Sequence, residues 1–307
     1  MSDEATRRMP HSAEYFGAER DYFWNADYLD LLFGRLGLPQ PAAILDVGCG
    51  EGHWARLIAG RLSPGSSVTG VDREAVHLAA FERALATTET AGLSVSTLQA
   101  SAYDIPAPSA TFDLVTCQTL LLHLREPAKA LGEMKRLVKP GGQILCVEPN
   151  NLVGRLPISS LMSVMPVDEV VRLAEFALRY VIGRARRGLG DETIGEALPG
   201  LLAEAGLQDI RVWLCDRAAA VFPPYDTAEQ AALLDAGRRW RREGLGPFDK
   251  AEMRSCVLAG EGSEAFFERA WADYLRFDDR IAEAAANGRW HTAGGTLFYV
   301  AAGRSGP

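Results

Sequence analysis

The chain has 307 residues, 48 % of them hydrophobic, and carries a formal net charge of −8. That length suits one α/β domain with insertions around a sizeable core, and the acidity disfavours tracking along a nucleic-acid backbone. No apolar run approaches the ~20 residues of a membrane span, no C-x-x-C or H-E-x-x-H spacing suggests a metal, and the 5 cysteines lack paired spacing, so they read as core residues of a soluble, cytoplasmic protein.

A helical segment is expected over residues 1–40, aromatic and helix-prone at 12–36, where Tyr15 and Tyr22 lie seven apart and so on one helical face. Strand-like runs at 42–47, 67–72, 93–98, 112–118 and 143–148 then alternate with helical runs at 53–62, 74–88 and 124–138. That alternation predicts a doubly wound, mostly parallel sheet, with Lys139-Pro140-Gly141-Gly142 turning the last helix into the fifth strand. After Glu148 comes a helix over 167–184, with Val170, Leu173, Ala174, Ala177 and Val181 on one side, then a helix over 194–205 and a sixth strand at 208–215. A helical stretch follows, with Asp226 and Glu229 as a capping box and Phe267, Ala270, Trp271 and Tyr274 at helical spacing, before a last strand at 295–302. The expected organisation is a helical segment at 1–40, a ligand-binding core at 41–149, and helical insertions with the last two strands at 150–307, in a single domain. The insertions are expected to form a lid over an acceptor pocket, since loops on a rigid sheet are where ligand choice is encoded.

The first strand stops at Asp46-Val47-Gly48-Cys49-Gly50-Glu51-Gly52. Alternate glycines between a strand and a helix let a ligand approach backbone, as in a Rossmann-type nucleotide site. A dinucleotide loop would carry a third glycine where this chain has His53, and the carboxylate of Asp46 would repel a diphosphate. Asp72 ends the next strand, about 20 residues on, where an acid accepts hydrogen bonds from a ribose. Asp46, Asp72, Ser101, Gln118 and Glu148 all fall at or just after predicted strand ends, on the edge where such sheets bind ligands.

These residues resemble the class I S-adenosylmethionine-dependent methyltransferases. Leu45 to Gly52 resembles the family's first motif, Val71-Asp72-Arg73 its ribose-binding motif and Gln99 to Pro106 its adenine-binding segment, where the family often has an aspartate in place of Ser101. Thr111 to Gln118 resembles the fourth strand, Leu137 to Leu145 the turn into the fifth, and Gly294 to Val300 the antiparallel seventh. The resemblance implies a seven-stranded Rossmann-like sheet that binds S-adenosylmethionine through Asp46, Gly48, Gly50, Gly52, Asp72, Arg73, Ser101, Ala102, Tyr103 and Gln118, with Tyr15 and Tyr22 closing over the cofactor. The implied reaction is in-line methyl transfer to a small-molecule acceptor, of the kind met in secondary metabolism, by a monomer or homodimer that engages neither nucleic acid nor membrane. His123, just past the fourth strand, is the first candidate general base and Glu148 the second, with capping of the loop after the strand as its other role. A methyltransferase-like protein that uses the cofactor for other chemistry or for regulation is the first alternative, and an NAD-dependent oxidoreductase the second.

Overall fold

The computed structural model describes residues 17–87 and 92–306. Seven described strands, β1 (Ala43–Val47), β2 (Ser67–Asp72), β3 (Ser94–Gln99), β4 (Phe112–Gln118), β5 (Val138–Asn150), β6 (Gln208–Leu214) and β7 (Leu297–Arg304), form one sheet. The order is β3-β2-β1-β4-β5-β7-β6, with β7 antiparallel to both neighbours and the other pairings parallel. Ile44, Leu45, Asp46 and Val47 of β1 are all buried, because helices cover both faces of a parallel sheet and alternation gives way to a continuous apolar run. This is the doubly wound, mostly parallel architecture expected.

The described chain forms two compact units that do not follow chain order. The sheet unit comprises residues 24–155, 184–217 and 295–306. Its helices are α1 (Ala26–Leu36), α2 (His53–Ala59), α3 (Ala75–Ala86), α4 (Pro127–Leu137), α5 (Asn151–Arg155) and α7 (Leu198–Glu204). The expected Lys139 to Gly142 turn lies inside β5: Phe112 pairs with Val138 and Leu114 with Gln143, so the intervening residues bulge out of the ladder. The helix expected over 194–205 splits into a 3₁₀ turn, Ile194–Ala197, and α7, whose first turn carries Pro199, where a missing N–H costs nothing. Cys215 lies one residue beyond β6. Where the chain leaves this unit and re-enters it, Arg155 and Arg184 meet one buried carboxylate. Arg155 bonds Glu192 in bidentate fashion at 2.7 and 2.8 Å, and Arg184 Nε stands 3.7 Å from the same side chain.

The helical unit comprises residues 17–23, 156–183 and 218–294, and contains a 3₁₀ helix Ala18–Tyr22, most of α6 (Val167–Arg186), and α8 (Ala228–Glu243), α9 (Lys250–Ala259) and α10 (Glu264–Ala286). Its core is aromatic: Phe176 packs 6.0 Å from Phe267 and 6.1 Å from Tyr274, and Phe267 stacks on Trp271 at 6.0 Å. On α6 the buried side includes Leu173, Ala177 and Val181 as expected, together with Phe176 and Tyr180. The cap of α8 is Thr227, whose hydroxyl accepts the N–H of Gln230, and not the expected Asp226; the helix starts one residue later than the acid at 226 requires. No described helix is long and apolar enough to cross a membrane.

Candidate functional site

β1 ends in the glycine loop, and the loop is built as a backbone surface. Gly48, Gly50 and Gly52 have φ of 69°, 51° and 85°, in the left-handed region that favours glycine. A Cβ on Gly48 would stand 2.6 Å from Leu120 Cδ1, and one on Gly52 3.1 Å from Phe81 Cδ2. Side chains from β4's end and from α3 therefore press on the loop, which leaves its own backbone facing outward at the start of α2. The N–H groups of Gly48 and Cys49 donate to Val71 O, which ties the loop to β2.

Two acids flank it. Asp46 is fully buried, and burial together with the charges of Asp46 and Asp72 pushes the Cys49 thiol well above its ordinary range. Asp72 accepts the Gly50 N–H at 3.0 Å on Oδ2 and the Glu74 N–H at 2.9 Å on Oδ1, and His77 Nδ1 lies 3.3 Å from Oδ1. An ionised carboxylate has about four acceptor sites, so capacity is left for a ribose hydroxyl. Arg73 is exposed and pairs with Glu74 at 3.1 Å, while its carbonyl accepts from Gln99.

The neighbouring strand ends supply the rest. Ser101 is exposed, bridges to Asp104, and accepts the Tyr103 N–H at 3.3 Å; Ala102 and Tyr103 are half-buried in the same turn. Gln118 is buried at the end of β4, and its Oε1 lies 3.3 Å from His53 Nδ1, so the residue in place of a third glycine reaches across to β4. Thr119 follows with φ of 52°, an outlier for a β-branched residue, and opens the 3₁₀ turn Leu121–His123. His123 is half-buried on that turn.

Glu148 turns inward. Its Oε1 accepts the N–H groups of Leu120 at 2.9 Å and Leu121 at 2.8 Å, its Oε2 accepts that of Leu122 at 3.2 Å, and the residue has no exposure. Burial raises its pKa to about 7 against the opposing pull of those three bonds. A carboxylate so enclosed has no reach to an acceptor, so in place of the general base expected at Glu148 the structure has a group that holds the turn after β4. Tyr22 lies in the helical unit, and Tyr15 lies outside the described residues.

Sequence reading missed two features of the sheet unit. His77, one turn into α3, was available from its spacing to Asp72. The other is an aromatic cluster in which Trp24 stands 5.2 Å from Trp54, 6.0 Å from Tyr28 and 6.1 Å from Phe298. All four residues are buried, and burial lifts the Tyr28 phenol to about 12. Trp54 is anchored through Nε1 to Thr116 Oγ1 at 3.0 Å, while Trp24 Nε1 and Tyr28 Oη make no hydrogen bond among the described residues. No local signal joins segments so far apart in the chain.

Comparison with known proteins agrees with this geometry. Residues 45–146 match the methyltransferase domain family. A ubiquinone biosynthesis O-methyltransferase of Alkalilimnicola ehrlichii is 31 % identical over 192 residues, covering 56 % of this chain and 73 % of that protein. A demethylmenaquinone methyltransferase of Thermus thermophilus is 35 % identical over 133 residues, covering 43 % of this chain and 56 % of that one. The chain spans about half the length of several other curated relatives. A solved Bacillus halodurans structure described as a candidate methyltransferase shares the fold, with a TM-score of 0.53 at 16 % identity over 92 % of this chain and 100 % of that one. The glycine loop, the two acids and the strand order thus have one common explanation: the chain belongs to the class I S-adenosylmethionine-dependent methyltransferases, enzymes whose cofactor is S-adenosylmethionine.

Proposed function

We propose that this chain transfers the methyl group of S-adenosylmethionine, by in-line displacement, to a small, apolar, ring-bearing acceptor. The observation that carries the reading is the left-handed glycine loop held between buried Asp46 and strand-end Asp72. The residues fit the cofactor: three left-handed glycines leave the loop without side chains, and an acid under the loop suits a ligand with a cationic group. When bound, the cofactor supplies a methyl group already activated by its sulfonium.

We assign close backbone approach to Gly48, Gly50 and Gly52, the ribose side to Asp72 and Arg73, and the adenine side to Ser101, Ala102 and Tyr103. Gln118, braced by His53, lines the end of β4. The protein's main tasks are to align the reactants and exclude water. His123 accepts a proton when the acceptor is a hydroxyl.

The ring-bearing acceptor is supported by the names of two relatives, a ubiquinone biosynthesis O-methyltransferase and a demethylmenaquinone methyltransferase. The test is binding followed by turnover. S-adenosylhomocysteine should bind measurably by calorimetry where NAD does not, and a panel of quinols, phenols and amines should yield S-adenosylhomocysteine with a ring-bearing hydroxyl. Tight binding with no product from any acceptor would sink methyl transfer and favour other chemistry or regulation.

A further inference from the structure

The geometry points to Glu148 as a positioning residue: its carboxylate, by binding the backbone of Leu120, Leu121 and Leu122, holds the turn that seats Leu120 against Gly48 and carries His123, and it holds all three only while ionised. The inference rests on the methyl-transfer reading for its kinetic meaning, but not for its effect on cofactor binding.

Three observations converge. The bonds go to three consecutive N–H groups, so one side chain fixes the conformation of the whole turn. The turn begins at Thr119, whose φ of 52° is sparsely populated for a β-branched residue and persists only where the surroundings over-determine it. Leu120 then meets the glycine loop, since a Cβ on Gly48 would stand 2.6 Å from its Cδ1 and 3.2 Å from its Cβ. A chain of contacts thus runs from Glu148 through the turn to the cofactor loop, within the sheet unit.

Ionisation decides whether the hold is complete. A carboxylate offers only acceptors to the three donors, whereas the acid protonated on Oε2 keeps the Leu120 and Leu121 bonds but turns an O–H toward the Leu122 N–H. Burial sets the pKa at about 7, where the charge changes in the physiological range. The titratable neighbours are the Cys117 thiol, 3.7 Å from Oε1, and Cys146, paired in register with Cys117. Beyond these lie Asp46, whose charge acts on Cys117, and Tyr299, opposite Glu148 in register and bonded to Glu196. Cys117 is pushed well above its ordinary range, first by its hydrogen bond with Cys146 and then by burial, and so does not compete near neutrality.

The sign for stability is opposite to that for binding. Between the ordinary carboxylate value and about 7, the folded state keeps a proton that the unfolded state has released, so stability falls as pH rises through that window. Positioning of the turn improves over its upper part.

The test measures S-adenosylhomocysteine affinity of the full chain by calorimetry from pH 5.5 to 8.5, with Glu148→Gln beside it. Near pH 6 only about a tenth of Glu148 is ionised, so the dissociation constant should stand about tenfold above its value at pH 8. In Glu148→Gln it should be weak and flat with pH, and the fall of melting temperature with rising pH should disappear. Persistence of the binding limb in Glu148→Gln, or its loss in His123→Asn, would assign it to His123 and overturn the inference. Should Glu148→Gln fail to fold, the wild type decides by NMR: the Leu120, Leu121 and Leu122 amides must titrate with the Glu148 carboxyl carbon, and amides that stay fixed overturn the role. Failure of the wild type to bind S-adenosylhomocysteine at any pH would instead remove the methyl-transfer reading itself.

Discussion

The two units use their polar side chains differently. In the sheet unit, buried and partly buried acids bond to backbone: Glu148 to Leu120–Leu122, Asp72 to Gly50 and Glu74, and Asp113, also paired with Lys139, to the Ala43 N–H at 2.8 Å. In the helical unit, charges pair with charges across helices, as in Arg172 with Asp273, Arg241 with Asp278 and Arg280 with Glu169. A side chain that binds backbone dictates the path of a loop, whereas an ion pair ties one helix to another, and where its acid is buried, as at Asp273 and Glu169, loss of the arginine leaves an uncompensated charge. One region is therefore built for a fixed ligand geometry. The other is an aromatic core whose helices are joined by ion pairs.

Three substitutions would break or sharpen that contrast. Phe267→Ala empties a fully buried ring site between Phe176 and Trp271, and should cost about 3–5 kcal/mol in chemical denaturation. Affinity for S-adenosylhomocysteine should change less than twofold in conditions where the variant is folded; an equal loss of both would mean the contrast is false. Gly48→Ala forces a Cβ against Leu120 at a left-handed φ and should weaken S-adenosylhomocysteine about 100-fold, roughly 2.7 kcal/mol, on a calorimeter. Unchanged affinity there would remove backbone approach at the loop. Smallest is Thr227→Ala, which deletes the cap of α8 and should lower stability by about 1 kcal/mol with no effect on binding. A cost near zero would show that the helix is held by packing alone.

The legibility of the chain in its sequence follows the range of the forces. Asp46 to Gly52 and Asp72 could be read because a strand end, positive-φ glycines and a fixed strand-to-strand spacing are local signals. Likewise α10 showed itself through Phe267, Ala270 and Trp271, all buried as the helical period requires. Glu148 was visible as an acid at a strand end with loop capping as its other role, but which turn it caps was not, because that depends on the β4–β5 register and on how the turn after β4 folds back. The Trp24–Trp54–Phe298 cluster was hidden for the same reason: it joins α1's approach, α2 and β7, and only the completed sheet brings them together. The bulge in β5 escaped because proline and glycines signal a turn equally well inside a strand pairing or outside it.

The Arg155–Glu192–Arg184 knot has an evolutionary consequence. It fastens the exit and the return of the first excursion at one buried carboxylate, so the ends of that segment stay together whatever lies between them. Closing a loop costs only about 0.6 kcal/mol more for each doubling of its length. Segments of different length can therefore be spliced at this stem without rebuilding the sheet, provided Arg155, Arg184 and Glu192 are kept.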